Sequence, residues 1–314
     1  MSRVSLSVLM RGLGELAIVS DLPPVIVDLF GLVTRLGDPW LLLGTLAVLY
    51  AVADRLALDR RRVAYVLAAA FLALGVTLAL KAAFALPRPP GAAEEGFGFP
   101  SGHALGATVV WGAGAVFLDL GRRRRRLALA AGVVPAVAAS RVVIGVHYLV
   151  DVVAGVAVGV AVVALVVALA GSRSRPRLGR VLDATSALTP ASDPDDGVSH
   201  AAVGRVLVLA VGAGLVALGV RASPDTLLTA GAAVGGWVGW RVVEPTVRTV
   251  GPPLPLRGTA VTVVGLPLVL GGLLAVDGAA DAAAPAPLTM ALAAGCIALL
   301  FALPRVAAGL TGSG

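Results

Sequence analysis

Long apolar runs and short polar segments alternate along the chain. In the first half, five runs approach the length of about 20 residues that an α-helix needs to cross a bilayer, at 40–58, 63–84, 101–120, 127–145 and 148–170. Four further runs follow in the second half, at 203–220, 226–242, 258–276 and 287–303. Each run is continuous and lacks the two-residue alternation of a half-buried strand. The pattern therefore predicts an all-α, polytopic integral membrane protein.

The polar segments divide the chain into four parts. Charged residues and prolines interrupt the apolar pattern in 1–39, so we predict interfacial helices there, with one short or tilted span near 17–36. Residues 40–172 form a helical membrane core, 173–202 a polar cytoplasmic linker, and 203–314 a four-helix C-terminal membrane extension. The extension is rich in glycine and alanine, which suits close helix packing. Its role and the oligomeric state remain open.

Composition excludes several other classes of protein. Hydrophobic residues make up 58% of the 314 residues, charged residues only 14%, and the mean hydropathy is +0.94. The net charge of +7 lies in arginine clusters beside apolar runs, which is typical of topology signals rather than of nucleic-acid binding. A single cysteine, Cys296, excludes a disulfide framework. The first twenty residues lack the pattern of a cleaved signal peptide.

The arginine clusters predict the topology. They lie at 60–62, 122–126 and 173–180, and two predicted spans separate each cluster from the next. Because arginine is enriched in cytoplasmic segments, all three clusters are assigned to the cytoplasm. The loop 85–99 and the turn near 145–148 then lie on the external side. The chemically unusual residues of the chain fall at that external end.

The first group of such residues contains Lys81 and Arg88, which Pro89 follows. Lys81 is the only lysine among 25 lysine and arginine residues, and it lies inside an apolar run. A charge in such a position is expensive, so a functional role as a compact positive charge is favoured. The alternative is snorkelling at the end of a helix, which by itself is the simpler interpretation of Arg88.

The second group is the tetrapeptide Pro100-Ser101-Gly102-His103, at the beginning of the third predicted span. Ser101 suits an N-cap, Gly102 leaves the backbone uncovered, and the free N–H groups of a first helical turn attract anions. The alternative is an ordinary capped helix with an interfacial histidine.

The third group contains Arg141, His147 and Asp151. Arg141 offers a planar guanidinium for phosphate oxygens. His147 and Asp151 are four residues apart, so a helix from Tyr148 onward would place them one above the other on one helical face, where the carboxylate fixes the tautomer of the imidazole. The alternative is a structural His–Asp pair that ties two helices together.

Taken together, the three groups indicate phosphoryl transfer at one external pocket. This chemistry requires positioning and charge stabilisation, and the cations and two histidines supply both. Glu94 and Glu95 are adjacent but unsupported by other carboxylates, so no Mg²⁺ site is predicted. We therefore expect no metal and no cofactor.

These motifs resemble those of the type 2 phosphatidic acid phosphatase family, the membrane lipid phosphatases related to vanadate-dependent haloperoxidases. The family pattern Lys-x6-Arg-Pro, Pro-Ser-Gly-His and Ser-Arg-x5-His-x3-Asp appears here in order, without a substitution. The resemblance covers roughly residues 40–170 and does not extend to 200–314. A family core of six spans is usual, whereas five are clear here.

The resemblance implies a role for each matching residue. His147 attacks phosphorus and forms a phosphohistidine, Asp151 orients it, and His103 protonates the leaving oxygen and then activates water. The phosphate oxygens are held by the remaining residues, which are Lys81, Arg88, Ser101, Gly102 and Arg141. The expected substrate is a lipid phosphate monoester or diphosphate, such as a polyprenyl diphosphate or phosphatidic acid, at the external face of the cell membrane. The membrane lipids and this substrate are the expected partners.

Two alternatives to a hydrolase remain. A lipid phosphotransferase passes the same phosphoryl group to an alcohol instead of water. A lipid-binding or transport protein retains the motifs without catalysis and depends on its second half.

Overall fold

The computed structural model describes residues 21–170, 198–244, 256–281 and 284–310, together with Gly12 and Val19. Within these residues the chain forms ten α-helices and no β-strand, which confirms the all-α prediction. The helices are α1 (Pro24–Val33), α2 (Pro39–Ala51), α3 (Arg60–Phe84), α4 (Gly102–Phe117), α5 (Arg123–Val143), α6 (Leu149–Leu169), α7 (His200–Val220), α8 (Pro224–Val243), α9 (Leu256–Asp281) and α10 (Ala286–Leu310). Most of the predicted linker 173–202, and part of the predicted span 17–36, lie outside the described residues.

Six helices are long and apolar enough to cross a membrane, and they include α3, α5, α6 and α7 with parts of α9 and α10. A seventh span results if the bent pair Pro24–Gly37 and Pro39–Ala51, with 45° between its parts, counts as one. These counts refer to the described residues alone. The chain is an integral membrane protein with several spans.

Three predicted spans differ from the helices observed. The run 40–58 contains only α2, because the chain leaves the helix at Val52 and forms a 3-10 turn at Ala53–Leu56. Arg60 stabilises this reversal through the carbonyl of Tyr50 and an ion pair of 2.7 Å with Asp54. The run 101–120 contains α4, which has 16 residues. Helix α8 fills the predicted span 226–242 but is not among the six, because its glycines, its polar residues and Arg241 lower its mean hydropathy.

Helix α3 is the centre of the bundle and contacts α2, α4, α6, α7 and α8. Glycines let two of these neighbours, α4 and α6, approach each other closely: an added Cβ would lie 2.6 Å from the Ser101 carbonyl oxygen at Gly155 and 2.6 Å from Thr108 Cβ at Gly159. Hydrogen bonds connect distant helices as well, from the Tyr65 hydroxyl to the Val166 carbonyl and from the Tyr50 hydroxyl to the Phe301 carbonyl. The C-terminal region therefore packs directly on the membrane core.

The two described arginine clusters lie at the same end of the bundle, as the topology argument requires. Arg62 pairs with Asp119 at 2.5 Å, and Arg126 approaches the same carboxylate at 3.8 Å. The 25 residues of α3 span about 37 Å at 1.5 Å per residue. Lys81, near the C-terminal end of α3, is thus separated from these clusters by most of a bilayer thickness.

Candidate active site

The loop after α3 folds back over the end of that helix. Ala85 ends α3 in the left-handed conformation, and an isolated bridge between Pro87 and Phe97 closes the loop. The Lys81 ammonium donates a hydrogen bond of 2.9 Å to the Phe97 carbonyl, and the Arg88 Nε donates to the Glu95 carbonyl. The loop thus holds the two cations of the first motif at the same end of the bundle.

Ser101 precedes α4 and is its N-cap, as the sequence predicts. Its buried side chain accepts a hydrogen bond from the Ala104 N–H, and its own N–H donates to the Asp151 carbonyl at 2.9 Å. A Cβ added to Gly102 would lie 3.1 Å from the Thr77 side chain and 3.9 Å from Lys81 Cε. The first-turn N–H groups of α4, which have no partner within the helix, therefore lie beside Lys81.

A glycine turn places His147. Gly145 has φ +73°, a conformation that L-residues disfavour, and it lets the chain reverse after α5. The N–H groups of Val146 and His147 then both donate to the Arg141 carbonyl at 3.2 Å. The third motif is therefore a closed turn that joins its arginine to its histidine.

Asp151 contacts His147 through a capping arrangement. Helix α6 begins at Leu149, so His147 precedes the helix and Asp151 lies in its first turn. One carboxylate oxygen, Oδ2, accepts the Tyr148 N–H at 3.1 Å and lies 3.4 Å from His147 Nδ1. Both side chains are almost fully buried, at 1% and 0% exposure. The predicted pairing is present, although it results from the helix start rather than from a shared helical face.

Arg88 determines which nitrogen of His147 carries the lone pair. Its Nη1 lies 3.1 Å from His147 Nε2, and a guanidinium can only donate hydrogen bonds. Nε2 is then the acceptor, and the proton of a neutral imidazole lies on Nδ1 facing Asp151. Burial, opposed by the hydrogen bond to Asp151 and reinforced by the charges of Arg88, Arg141 and Lys81, lowers the pKa of His147 to about 4. The ring is therefore neutral at neutral pH.

Arg141 is buried and makes only part of its possible hydrogen bonds. The guanidinium is 1% exposed, donates from Nη1 to the Thr34 hydroxyl at 2.8 Å, and pairs through Nη2 with Glu94. Its Nε is buried without a partner. Because an unmade hydrogen bond of a buried charged group is costly, this atom indicates a place for an additional acceptor.

Glu94 lies between the two arginines, a position that the sequence does not predict. One carboxylate oxygen contacts Arg141 and the other is 3.0 Å from Arg88 Nη2. Burial raises the pKa of Glu94, but the hydrogen bond to Arg141 and the charges of Arg141 and Arg88 outweigh it and lower the pKa overall. Thr34 was also missed, since nothing in its local sequence indicates a contact with Arg141. The only available signal for Glu94 was an acidic residue within a loop flanked by cationic motifs.

His103 completes the set. It is half-buried, and Lys81, Arg88 and His147 line the same cavity, which has a volume of about 510 Å³. The charges of Arg141, Glu94, His147 and Lys81 all act on it. The residues that the sequence singled out thus come together at one end of the bundle. In the described part of the chain, no group of three or more His, Cys, Asp or Glu side chains is arranged to hold a metal ion.

The fold and the site define a class: an all-α integral membrane protein with buried cations and a histidine–aspartate pair at one end of its bundle. Residues 62–175 match the family model described as PAP2 superfamily, which confirms the resemblance to the type 2 phosphatidic acid phosphatases over this part of the chain. The match includes nearly all of α3 and the whole of α4, α5 and α6, which carry the site. PAP2 superfamily members are phosphatases, which supports a phosphoric ester hydrolase. No curated protein and no solved structure gave a significant match.

Proposed function

We propose that the protein is a metal-independent lipid phosphatase, which hydrolyses a lipid phosphate monoester or diphosphate through a phosphohistidine at His147. The observation that carries this proposal is the position of Glu94. Its carboxylate bridges Arg88 and Arg141, and Arg88 also contacts His147 Nε2 at 3.1 Å. An anion that binds the same two guanidinium groups lies next to the lone pair of the histidine.

The first step is attack of His147 Nε2 on phosphorus. The N–P bond forms while the bond from phosphorus to the ester or diphosphate oxygen breaks, and His103 donates a proton to that leaving oxygen. Asp151 stabilises the positive charge that develops on the imidazole through Nδ1. The cations Lys81, Arg88 and Arg141 and the N–H groups of Ser101 and Gly102 stabilise the phosphoryl oxygens.

The second step returns the enzyme to its starting state. His103, now neutral, accepts a proton from water as the water oxygen attacks phosphorus and the N–P bond breaks. The products are inorganic phosphate and either a lipid alcohol or, from a diphosphate, a lipid monophosphate. No step requires a redox partner.

Two features support a lipid substrate and the external membrane face. The site lies at the ends of apolar helices, where a phosphate head group of a bilayer lipid is found at the depth of the interface. The arginine clusters Arg60–Arg62 and 122–126 lie at the opposite end, and arginine is enriched on the cytoplasmic side. Polyprenyl diphosphates and phosphatidic acid are the leading substrate classes.

A phosphate-release screen over detergent-solubilised lipids tests the proposal, with wild type and His147→Ala in parallel. We expect release by the wild type, a loss of about 10³-fold or more in the variant because its nucleophile is absent, and no effect of a chelator. Release that disappears with chelator would contradict the metal-free mechanism. Release that persists in His147→Ala would exclude the phosphohistidine.

The same assay separates hydrolysis from transfer. Acceptor alcohols are added, and phosphorylated alcohol is measured beside inorganic phosphate. A hydrolase releases inorganic phosphate at the same rate with or without the alcohol, whereas a transferase needs the alcohol for turnover.

A further inference from the structure

The cavity at the phosphate site continues into the membrane region, between the core and the C-terminal helices. Its polar end contains Lys81, Arg88, Glu94, His103 and His147. Two further carboxylates, Asp225 and Asp277, also line it, and the remainder of its lining is mainly apolar. The total volume of about 510 Å³ falls in the range of about 300–1,000 Å³ that is typical of sites for small molecules. The polar and apolar parts belong to one continuous space.

The C-terminal region forms one wall of the apolar part. The wall side chains come from three helices, α8, α9 and α10, and include Leu228, Ala232, Leu270, Leu273, Ile297 and Leu300. The opposite wall comes from the core, with Leu43 of α2 and Leu67, Phe71 and Leu74 of α3. The match to the PAP2 superfamily ends at residue 175, so the first wall lies wholly outside it.

The same region also contacts the loop that carries the site. The Arg221 guanidinium, just after α7, lies 4.8 Å from the centre of the Phe97 ring, and the carbonyl of Phe97 accepts the hydrogen bond of Lys81. The charge of Asp225, in the first turn of α8, acts on Lys81. The C-terminal helices are therefore coupled to the phosphate end of the cavity as well as to its apolar end.

Two large apolar side chains of the lining are strongly exposed, Trp40 at 42% and Leu274 at 54%. They come from α2 and α9, which contact each other. This places the open side of the cavity at the boundary between these helices, where the bundle meets the bilayer. Tryptophan is typical of the membrane interface, so a lipid can enter there with its head group towards the polar end.

We propose that this cavity binds the hydrocarbon tail of the lipid phosphate, and that the C-terminal region provides the wall that selects the tail. The proposal rests on the proposed function, because the phosphate end must hold the head group. A tail that enters from the bilayer or from a micelle exchanges one hydrocarbon environment for another, so it gains from packing against the cavity walls rather than from leaving water. We therefore expect kcat/KM to distinguish tails that fit the cavity from tails that do not.

Ala232→Phe tests the proposal by filling the apolar end from the C-terminal wall. Two substrates are compared, hexadecyl phosphate and the tail-free ester p-nitrophenyl phosphate. The larger side chain occupies space that the tail would fill, so overpacking lowers kcat/KM for hexadecyl phosphate by about fivefold or more, while kcat/KM for the tail-free ester stays unchanged. The control Ala275→Phe adds the same volume at an exposed position of α9 that does not line the cavity, and it changes neither value.

Loss of activity on both esters would show that Ala232→Phe fails to fold. A second pair of variants keeps the test decisive in that case. Leu274→Trp narrows the open side of the cavity, and Leu268→Trp makes the same change at a position of α9 that is 73% exposed and outside the lining. The proposal requires a selective loss on hexadecyl phosphate in the first variant alone. The proposal is overturned if the ratio of kcat/KM for hexadecyl phosphate to kcat/KM for p-nitrophenyl phosphate is the same in wild type and in Leu274→Trp.

A binding measurement separates this proposal from the proposed function. Equilibrium binding of radiolabelled hexadecyl phosphate is measured in the His147→Ala background, with and without Leu274→Trp. Weaker binding in the Leu274→Trp variant supports the tail site. If the wild type nevertheless hydrolyses neither ester, the proposed phosphatase activity is rejected and the tail site is not. Unchanged binding, with intact turnover by the wild type, rejects the tail site alone.

Discussion

Glu94 competes with the substrate phosphate for Arg88 and Arg141, and its removal should therefore tighten phosphate binding. The substitution Glu94→Gln removes the negative charge but keeps an oxygen that accepts hydrogen bonds. A phosphate that binds the two guanidinium groups must displace the carboxylate in the wild type. In the variant it displaces a neutral amide, so the cost of displacement is smaller.

The structure gives the size of this effect. Hydrogen bonds to charged groups contribute about 1.5–3 kcal/mol, whereas exposed ion pairs contribute about 0.2–1 kcal/mol. The Glu94 side chain is 37% exposed, while Arg88 and Arg141 are 10% and 1% exposed. We therefore take about 1 kcal/mol, close to the upper value for exposed pairs, and this corresponds to about fivefold in a binding constant.

The assay is inhibition of the phosphatase by inorganic phosphate, with KM for a lipid phosphate measured in parallel. Glu94→Gln should lower the inhibition constant by about fivefold. Glu95→Gln is the matched control, because it removes the same charge from an exposed neighbour whose backbone carbonyl, rather than its side chain, accepts from Arg88. A higher inhibition constant in Glu94→Gln would refute competition and indicate that the carboxylate holds the arginines in position. Equal constants in the two variants would show that local charge alone matters.

Three further outcomes follow from the turn that carries the nucleophile. Gly145→Ala places a Cβ at φ +73° at a cost of about 1–2 kcal/mol, so kcat and thermal stability in detergent fall. Gly132→Ala, in open space within α5, leaves kcat unchanged and does not lower thermal stability, because alanine favours the helix interior over glycine. Asp151→Asn lowers kcat by about 10³-fold with little change in KM, because the imidazolium loses its counter-charge, and an equal rise in KM would show that the residue acts in binding instead. NMR of labelled histidine should show His147 protonating near pH 4. The chain has three histidines, and comparison with His147→Ala assigns the signal. Titration of His147 near pH 6.5 would contradict its burial among cations.

The helices of the core follow directly from local sequence. Apolar runs of sufficient length predict α3, α5 and α6 to within a few residues at each end, because helix hydrogen bonds are made within the segment itself. Local capping signals were equally informative at Ser101, which caps α4 as expected. The prediction was less accurate for 40–58, where Arg60 and Asp54 stabilise a reversal that hydropathy does not detect.

The convergence of the three motifs was also predictable, although not from periodicity alone. Two predicted spans separate each arginine cluster from the next, so all the clusters lie on one side of the membrane. The loops between the spans of each pair then lie on the other side, and this places Lys81, His103 and His147 at one end of the bundle. The described clusters do lie at the opposite end. The exact contacts were not predictable in the same way. The pairing of His147 with Asp151 depends on where α6 begins, which is a matter of one or two residues.

By itself, the sequence determined the fold class, the membrane setting and the types of residue at the site, since each depends on short-range patterns and on the cost of charge in hydrocarbon. Only the tertiary structure decided that Glu94 lies between Arg88 and Arg141, that Thr34 supports the buried guanidinium, and that helices α8 to α10 wall a cavity open to the phosphate site. These contacts join segments distant along the chain. They depend on side-chain packing between helices, which no local pattern encodes.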